Sequence, residues 1–340
     1  MKPIRLGANQ LHHFYRGGER IARFRGIPSE DAYAPEDWIG STTARFGEDG
    51  RGLTVLADGG TLRDAITASP EPFLGSAHVN RFGPDPSLLV KLLDAGQRLP
   101  VHCHPDREFA HEHLGLSTGK TESWLIVESE DASVHLGFRE DVDADVVAGW
   151  VERQDCDGML EALHELPVAR GDRVYVPAGL PHAIGAGILL VELQEPADLS
   201  VLLEYAGFQI DGPRDGHLGL GYDVALRCLD RSALDPGELA HLKAAADDLP
   251  EARPGVTRLL PPESDAFFRA ERLRPSPAAA LEPGFSILVA VAGRGELETE
   301  RGGRVGLARG DTVLVPFAAG GAELTGEIDV LRCRPPDPEA

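Results

Sequence analysis

The stretch ARGDRVYVPAGLPHAIG, Ala169 to Gly185, recurs from Ala308 as ARGDTVLVPFAAGGAEL. Both copies hold a Gly-Asp turn, an alternating apolar run and a Val-Pro exit. In register, His182 of the first copy falls opposite Gly321 of the second. Period-two alternation after a turn signal is the pattern of a half-buried strand. The two copies are too far apart for a solenoid repeat. They predict one β-barrel module, a small jelly roll, written twice: once with a metal-capable side chain and once without.

Further β-like runs flank each copy. SLLVKLLDA, ESWLIVE and GILLVELQE lie around the first, and FSILVAVAGRGELETE lies before the second. Their spacing suits a sandwich or barrel rather than βαβ units. Helical periodicity is confined to DADVVAGWVERQDCDGMLEALHEL, then YDVALRCLD and DPGELAHLKAAADDL. The expected chain is therefore all-β dominated, with two jelly-roll barrels and a helical insertion and linker block. Residues 1–210 form a metal-binding catalytic domain with a short helical insertion at about 142–165. Residues 211–250 form a helical linker segment, and 251–340 a degenerate barrel without metal.

Charge narrows the partners. A net charge of -22 and a pI near 4.9 disfavour nucleic acid and anionic membrane surfaces. No apolar run approaches the ~20 residues of a membrane span, and MKPIRLGANQLHHFYRGG has no apolar signal-peptide core. The cysteines, Cys103, Cys156, Cys228 and Cys333, are scattered without a C-x-x-C pair, which fits a reducing compartment. The expectation is a soluble, cytoplasmic monomer or homodimer acting on a small molecule. An anionic substrate needs a local positive pocket, and lysine is scarce: Lys2, Lys91, Lys120 and Lys243.

The strongest local signal is LPVHCHPDREF. On a strand, His102 and His104 share one face and Cys103 takes the other. Pro105 ends the run because it cannot donate to a ladder. In GKTESWLIVE, Lys120, Glu122 and Trp124 share a face. A glutamate pointing into a barrel is costly unless it is paired or metal-bound. His182, which falls opposite Gly321 in the second copy, completes a set of three imidazoles and one carboxylate. Such a set suits one divalent ion: zinc, iron, manganese or nickel. His12 and His13 in LHHF, and His111 and His113 in AHEHLG, read as surface or capping residues. Lys91 interrupts the apolar run LLVKLL, where lysine is rare without a partner.

LLVKLLDAGQRLPVHCHPD, GKTESW and VPAGLPHAIGAGILLVELQEPADLS, in that order, resemble the type I mannose-6-phosphate isomerases, zinc-dependent enzymes built from two cupin barrels. PEDWIGS is similar to the family's tryptophan-containing entry segment. The resemblance implies His102, His104, Glu122 and His182 as ligands of one divalent ion, most readily Zn(II), with His102 standing where the family usually has glutamine. It implies Lys91, Lys120, Glu36 and Trp38 as substrate-binding residues. It also implies isomerisation of mannose 6-phosphate to fructose 6-phosphate through a cis-enediolate. A base takes the C2 proton and returns it to C1, while a cation steadies the charge on O1 and O2.

VELQEP leaves Glu192 and Glu195 open for the proton transfer; Glu195 is the catalytic candidate, with Lys120 and Arg214. The family carries an arginine just after the stretch matching ELQEPADLS. Here Leu202 or Tyr205 holds its place, and Arg214 is the nearest substitute. Two other functions fit the same scaffold: an Fe(II) oxygenase, and a sugar-binding protein without turnover.

Overall fold

The computed structural model describes residues 1–340. The repeated phrase forms the same local structure twice. In the first copy the Ala169 and Asp172 main chains bond at 3.0 Å, and the Asp172 carboxylate accepts from the Ala169 N–H at 3.1 Å. In the second, Ala308 and Asp311 do the same at 2.9 Å and 2.9 Å. The turn glycines sit at φ 93° (Gly171) and 94° (Gly310), a left-handed region that only glycine enters cheaply. Each turn launches a buried strand, Asp172–Val176 or Thr312–Val315.

The two glycines differ in their surroundings. A Cβ on Gly171 would meet nothing nearer than Arg272 Nη1 at 3.7 Å, whereas one on Gly310 would lie 2.2 Å from the Phe24 carbonyl oxygen. Gly171→Ala should cost about 1–2 kcal/mol, the left-handed penalty alone, and Gly310→Ala clearly more. Urea denaturation of both variants checks this. Equal losses would mean that the segment around Phe24 yields freely.

The front domain is built from two sheets. One has seven antiparallel strands, including Asp172–Val176, Glu122–Ser129, Ile188–Gln194, Leu89–Ala95 and Glu36–Ile39 in that spatial order. The other has five and contains His102–Cys103, His182–Ile184 and Ser133–Phe138. Leu89–Ala95 and Ile188–Gln194 are buried at every residue, because both faces of their sheet are covered. Val90 and Leu92 belong to one continuous apolar cluster with Ile287, Val289, Leu314 and Leu331 of the rear domain. Fully burying one such side chain stabilises by about 1.5–3 kcal/mol, so the two domains share a core.

The rear domain is a single nine-stranded sheet built around the long strands Ser286–Thr299 and Ala322–Arg334. A register shift at Ala290/Ala292 separates the half of this pair that meets Thr312–Val315 from the half that meets Gly303–Ala308. Counting across the ladders aligns the two domains residue by residue. From Val174 the register runs to Trp124, Glu192 and Lys91. From the equivalent Val313 it runs to Leu288, Arg332 and Glu271. A cross-strand ion pair, fully buried in the front domain and partly buried at Glu271 in the rear, therefore occupies the same place in both domains with its signs exchanged. Likewise Val176 pairs with Glu122, and Val315 with Ser286.

The helical insertion appears as Ala144–Arg153 and Cys156–Ala162. The linker holds Pro236–Leu242, opened by a capping box between Asp235 and Glu238. Two features depart from the expected layout. Ile4–Arg5 pairs with the rear strand at Leu314 and Val313, and Lys243–Ala245, inside the expected helical linker, extends the front sheet beside Asp172–Val174. The chain also has helices that periodicity missed: Glu19–Arg25, Leu62–Ala68, Pro70–Leu74, Ser76–Phe82 and Arg107–Leu114. Each has eight residues or fewer, too short for an apolar stripe to repeat. No helix is long and apolar enough to cross a membrane.

Candidate active site

Two short strands of one sheet bring the histidines together. His182 and His102 are direct ladder partners, and His104 follows where Pro105 halts the strand. Each ring is aimed by a main-chain carbonyl. Nδ1 lies 2.7 Å from Pro100 O in His102, 2.6 Å from Leu199 O in His104 and 2.8 Å from Leu180 O in His182. A carbonyl can only accept, so the Nδ1 atoms carry the protons and the Nε2 lone pairs converge. The three imidazoles form one buried cluster whose ligand atoms all lie within 4.8 Å of one another.

This arrangement is unfavourable without a cation. His182 Nε2 and His102 Nε2 approach to 3.0 Å. Glu122, from the facing sheet, brings Oε2 to 3.1 Å from His104 Nε2 and Oε1 to 3.3 Å from His182 Nε2. His104 Nε2 is buried without a hydrogen-bond partner. Protonating the rings would relieve the contact, but burial pushes His102 well below its usual range and His104 down to about 3. Burial acts on the Glu122 carboxyl in the opposite sense, yet Lys120 and His104 together hold it well below its ordinary value. Converging imidazole nitrogens beside a carboxylate are the donor set a divalent ion requires, so these four residues fit one ion.

The cluster closes the inner end of a cavity of ≈ 740 Å³, into which His102 and Glu122 project. Lys120 Nζ lies 3.2 Å from Glu122 Oε2 and 3.8 Å from Glu192 Oε1. Lys91 Nζ lies 3.2 Å from Glu36 Oε2 and 3.7 Å from Glu192 Oε1. Glu192 thus sits between two ammonium groups, but its Oε1 has no hydrogen bond. Burial pushes its carboxyl up to about 8, with Lys91 opposing. Glu36 is fixed from three sides: by the Tyr15 hydroxyl at 2.6 Å, the Trp38 indole N–H at 2.7 Å and His13 Nε2 at 3.3 Å.

Lys91, Lys120, Glu36, Glu122 and His102 all line this cavity, and His104 and His182 stand behind them. Glu195 does not. Its oxygens are taken by Arg107 Nε at 2.6 Å and the Thr121 N–H at 3.0 Å, because the strand ends at Gln194 and the next residue turns away to clamp two loops. Trp38 is fully buried and off the cavity, with its ring 5.1 Å beneath the Lys91 ammonium. Its indole N–H holds Glu36 and its ring lies under Lys91, so it stands behind the cavity lining.

Arg214 reaches only the cavity mouth, where it is mostly exposed and doubly bonded to Asp215 at 2.9 and 2.6 Å. Leu202 lines the cavity, and Tyr205 packs against Tyr222 instead. His13, expected at the surface, is buried against Glu36. His111 and His113 do fall in the last turn of a surface helix. Sequence reading also missed Tyr15 and Arg45. His13 and Tyr15 alternate as an inward pair would, but the irregular segment around them hides that signal.

No family model matches the chain. It is 32% identical over 195 residues to the mannose-6-phosphate isomerase of Streptococcus mutans, an alignment that covers 56% of this chain and 57% of that protein. It is 30% identical over 248 residues to mannose-6-phosphate isomerase ManA of Bacillus subtilis, covering 72% of this chain and 73% of that protein. Among solved structures, the mannose 6-phosphate isomerase from Bacillus subtilis superposes with a TM-score of 0.78 at 22% identity, over 98% of this chain and 100% of that one. A mannose 6-phosphate isomerase bound with zinc and yttrium gives a TM-score of 0.73 at 15% identity, over 99% and 100% of the respective chains. At these identities the structures speak for the fold, the two-barrel cupin architecture that the repeated phrase implied.

Proposed function

The chain belongs to the mannose-6-phosphate isomerase family, and from that premise we propose that it interconverts mannose 6-phosphate and fructose 6-phosphate with one divalent ion, zinc foremost. The ion would be held by His102, His104, His182 and Glu122. The observation that carries this reading is the convergence of three carbonyl-aimed imidazoles and a carboxylate at the closed end of a cavity that also holds two lysines.

When bound, the ion supplies Lewis-acid stabilisation of the charge that develops on the sugar's O1 and O2. The chain's own residues do the rest. Lys120 and Lys91 present ammonium groups beside the reacting carbons, where low dielectric strengthens their effect on an enediolate. Glu192 is the group that takes the C2 proton and returns it to C1. A carboxyl pushed up to about 8 is a far stronger base than an exposed one and operates near neutral pH. Glu36, braced by Tyr15 and Trp38, fixes the Lys91 ammonium. Leu202 and Leu93 cover part of the cavity wall and help exclude water.

A coupled assay for fructose 6-phosphate formation tests the reading. Turnover of mannose 6-phosphate should vanish with a chelator and return with a divalent salt. Chelator-insensitive turnover would overturn the metal assignment. No turnover on any hexose or pentose phosphate, with the ion bound, would leave a sugar-binding protein.

A further inference from the structure

We infer that Arg45 anchors the phosphate of the sugar substrate at the cavity mouth; this rests on the isomerase reading above. With C1 and C2 at the ion, the phosphate of an open-chain hexose 6-phosphate lies four carbons further toward solvent. The inner lysines cannot serve it, because Lys91 is shared between Glu36 and Glu192, and Lys120 between Glu122 and Glu192. Among the carboxylates Glu48, Asp198, Asp211 and Asp215, three side chains able to carry positive charge line the outer part of the cavity: His12, Arg214 and Arg45.

Two of these are already engaged. His12 Nδ1 is 2.7 Å from Asp31, and Arg214 is bonded to Asp215 through both Nε and Nη2. Arg45 differs. Its guanidinium makes one hydrogen bond, from Nη1 to the His12 carbonyl oxygen at 3.0 Å, which fixes the direction of the group and leaves Nε and Nη2, along one edge, without one. That edge is the one that takes two phosphate oxygens side by side. Two carboxylates stand near it, neither on Nη2. Asp198 is 4.0 Å from Nε, and Glu48, 3.2 Å from Nη1, also pairs with Arg51 at 3.0 Å and can stay there. The Arg45 side chain is 20% exposed, sheltered enough to strengthen a charge-assisted bond and open enough to admit a dianion.

The test uses the ion-loaded full chain with Arg45→Gln, Arg45→Lys and Arg214→Gln. Arg45→Gln should raise KM for mannose 6-phosphate about tenfold to a hundredfold, the loss of one charged bidentate contact, with kcat changed only a few-fold. Turnover of unphosphorylated mannose should stay as in the parent protein, and Arg45→Lys should recover part of the loss. Calorimetric titration with inorganic phosphate supplies a readout independent of turnover: binding to the parent chain, and its loss in Arg45→Gln.

Equal losses for mannose and mannose 6-phosphate would reduce Arg45 to a brace for the segment around His12 and overturn the assignment. So would a KM effect carried by Arg214→Gln instead. If the parent chain binds phosphate through Arg45 but turns over no sugar phosphate, the isomerase reading fails and the anion site stands.

Discussion

His182→Ala is expected to leave the chain folded and without its ion. The His182 ring meets His102 Nε2 at 3.0 Å and Glu122 Oε1 at 3.3 Å, so its removal takes one proposed ligand and frees two others to move, while the backbone ladder with His102 stays. An altered outer-sphere contact already lowers metal affinity 10–100-fold, and a lost ligand should exceed that. Without the ion, several kcal/mol of charge stabilisation disappear, which is about 10²–10⁴ in rate. Elemental analysis after gel filtration measures the first effect and the coupled assay the second. Circular dichroism separates both from unfolding. One retained ion per chain in this variant would dismantle the ligand set. The parent protein should also melt lower after chelation, because an ion present at 1,000 times its Kd stabilises the folded state by about 4 kcal/mol.

Glu192→Gln is expected to lower kcat by about 10²–10⁴, the usual worth of a positioned proton-transfer group, while ion content stays unchanged. The sign of the pH dependence follows from the raised carboxyl. Glu192 must be charged to accept the C2 proton, and it is neutral below about 8. The parent rate should therefore climb with pH toward that value, and the variant should lose that limb. Stability responds in the opposite direction. Between the ordinary carboxyl value of 4.5 and about 8, the folded chain keeps a proton that the unfolded chain releases. This group's contribution is complete below the lower value and fades as pH rises through the upper one. The glutamine variant should show a flatter profile of unfolding free energy over that window. An unchanged kcat would return the role to another cavity residue.

The four residues of the candidate ion site were legible in the sequence because each sat on a short-range pattern: alternation in HCH, a glutamate leading an apolar strand, and a histidine where the second copy of the repeat has glycine. Lys91 was legible for the same reason, as a charge inside an apolar run. Glu192 and Glu195 were not separable, because the choice depends on where the strand stops. Ladder pairing carries Glu192 opposite Lys91, while Glu195 lies one residue past the end at Gln194. Trp38 entered the substrate-binding set only through the resemblance of PEDWIGS, and the structure pairs it with Lys91. Only the packed structure shows the ammonium lying over the ring and shielding it from the cavity. Arg45 and His13 sit in irregular segments and meet the site through contacts far away in sequence. The bent pair of long strands and the Ile4–Arg5 strand were hidden for a related reason, since both depend on partners in another part of the chain.

The exchanged ion pair makes the divergence of the two barrels one-directional. Writing a glutamate at Ser286 and a histidine at Gly321 would rebuild half of a ligand set on paper. Any incoming cation would still face the Arg332 guanidinium, buried to 1% exposure where the front domain has Glu192, with Arg334 two residues along the same strand. Regaining an ion there would first require removing the Arg332 charge, which would leave Glu271 to Arg253 and Arg334, and replacing Arg332 by an acid would set two carboxylates against each other.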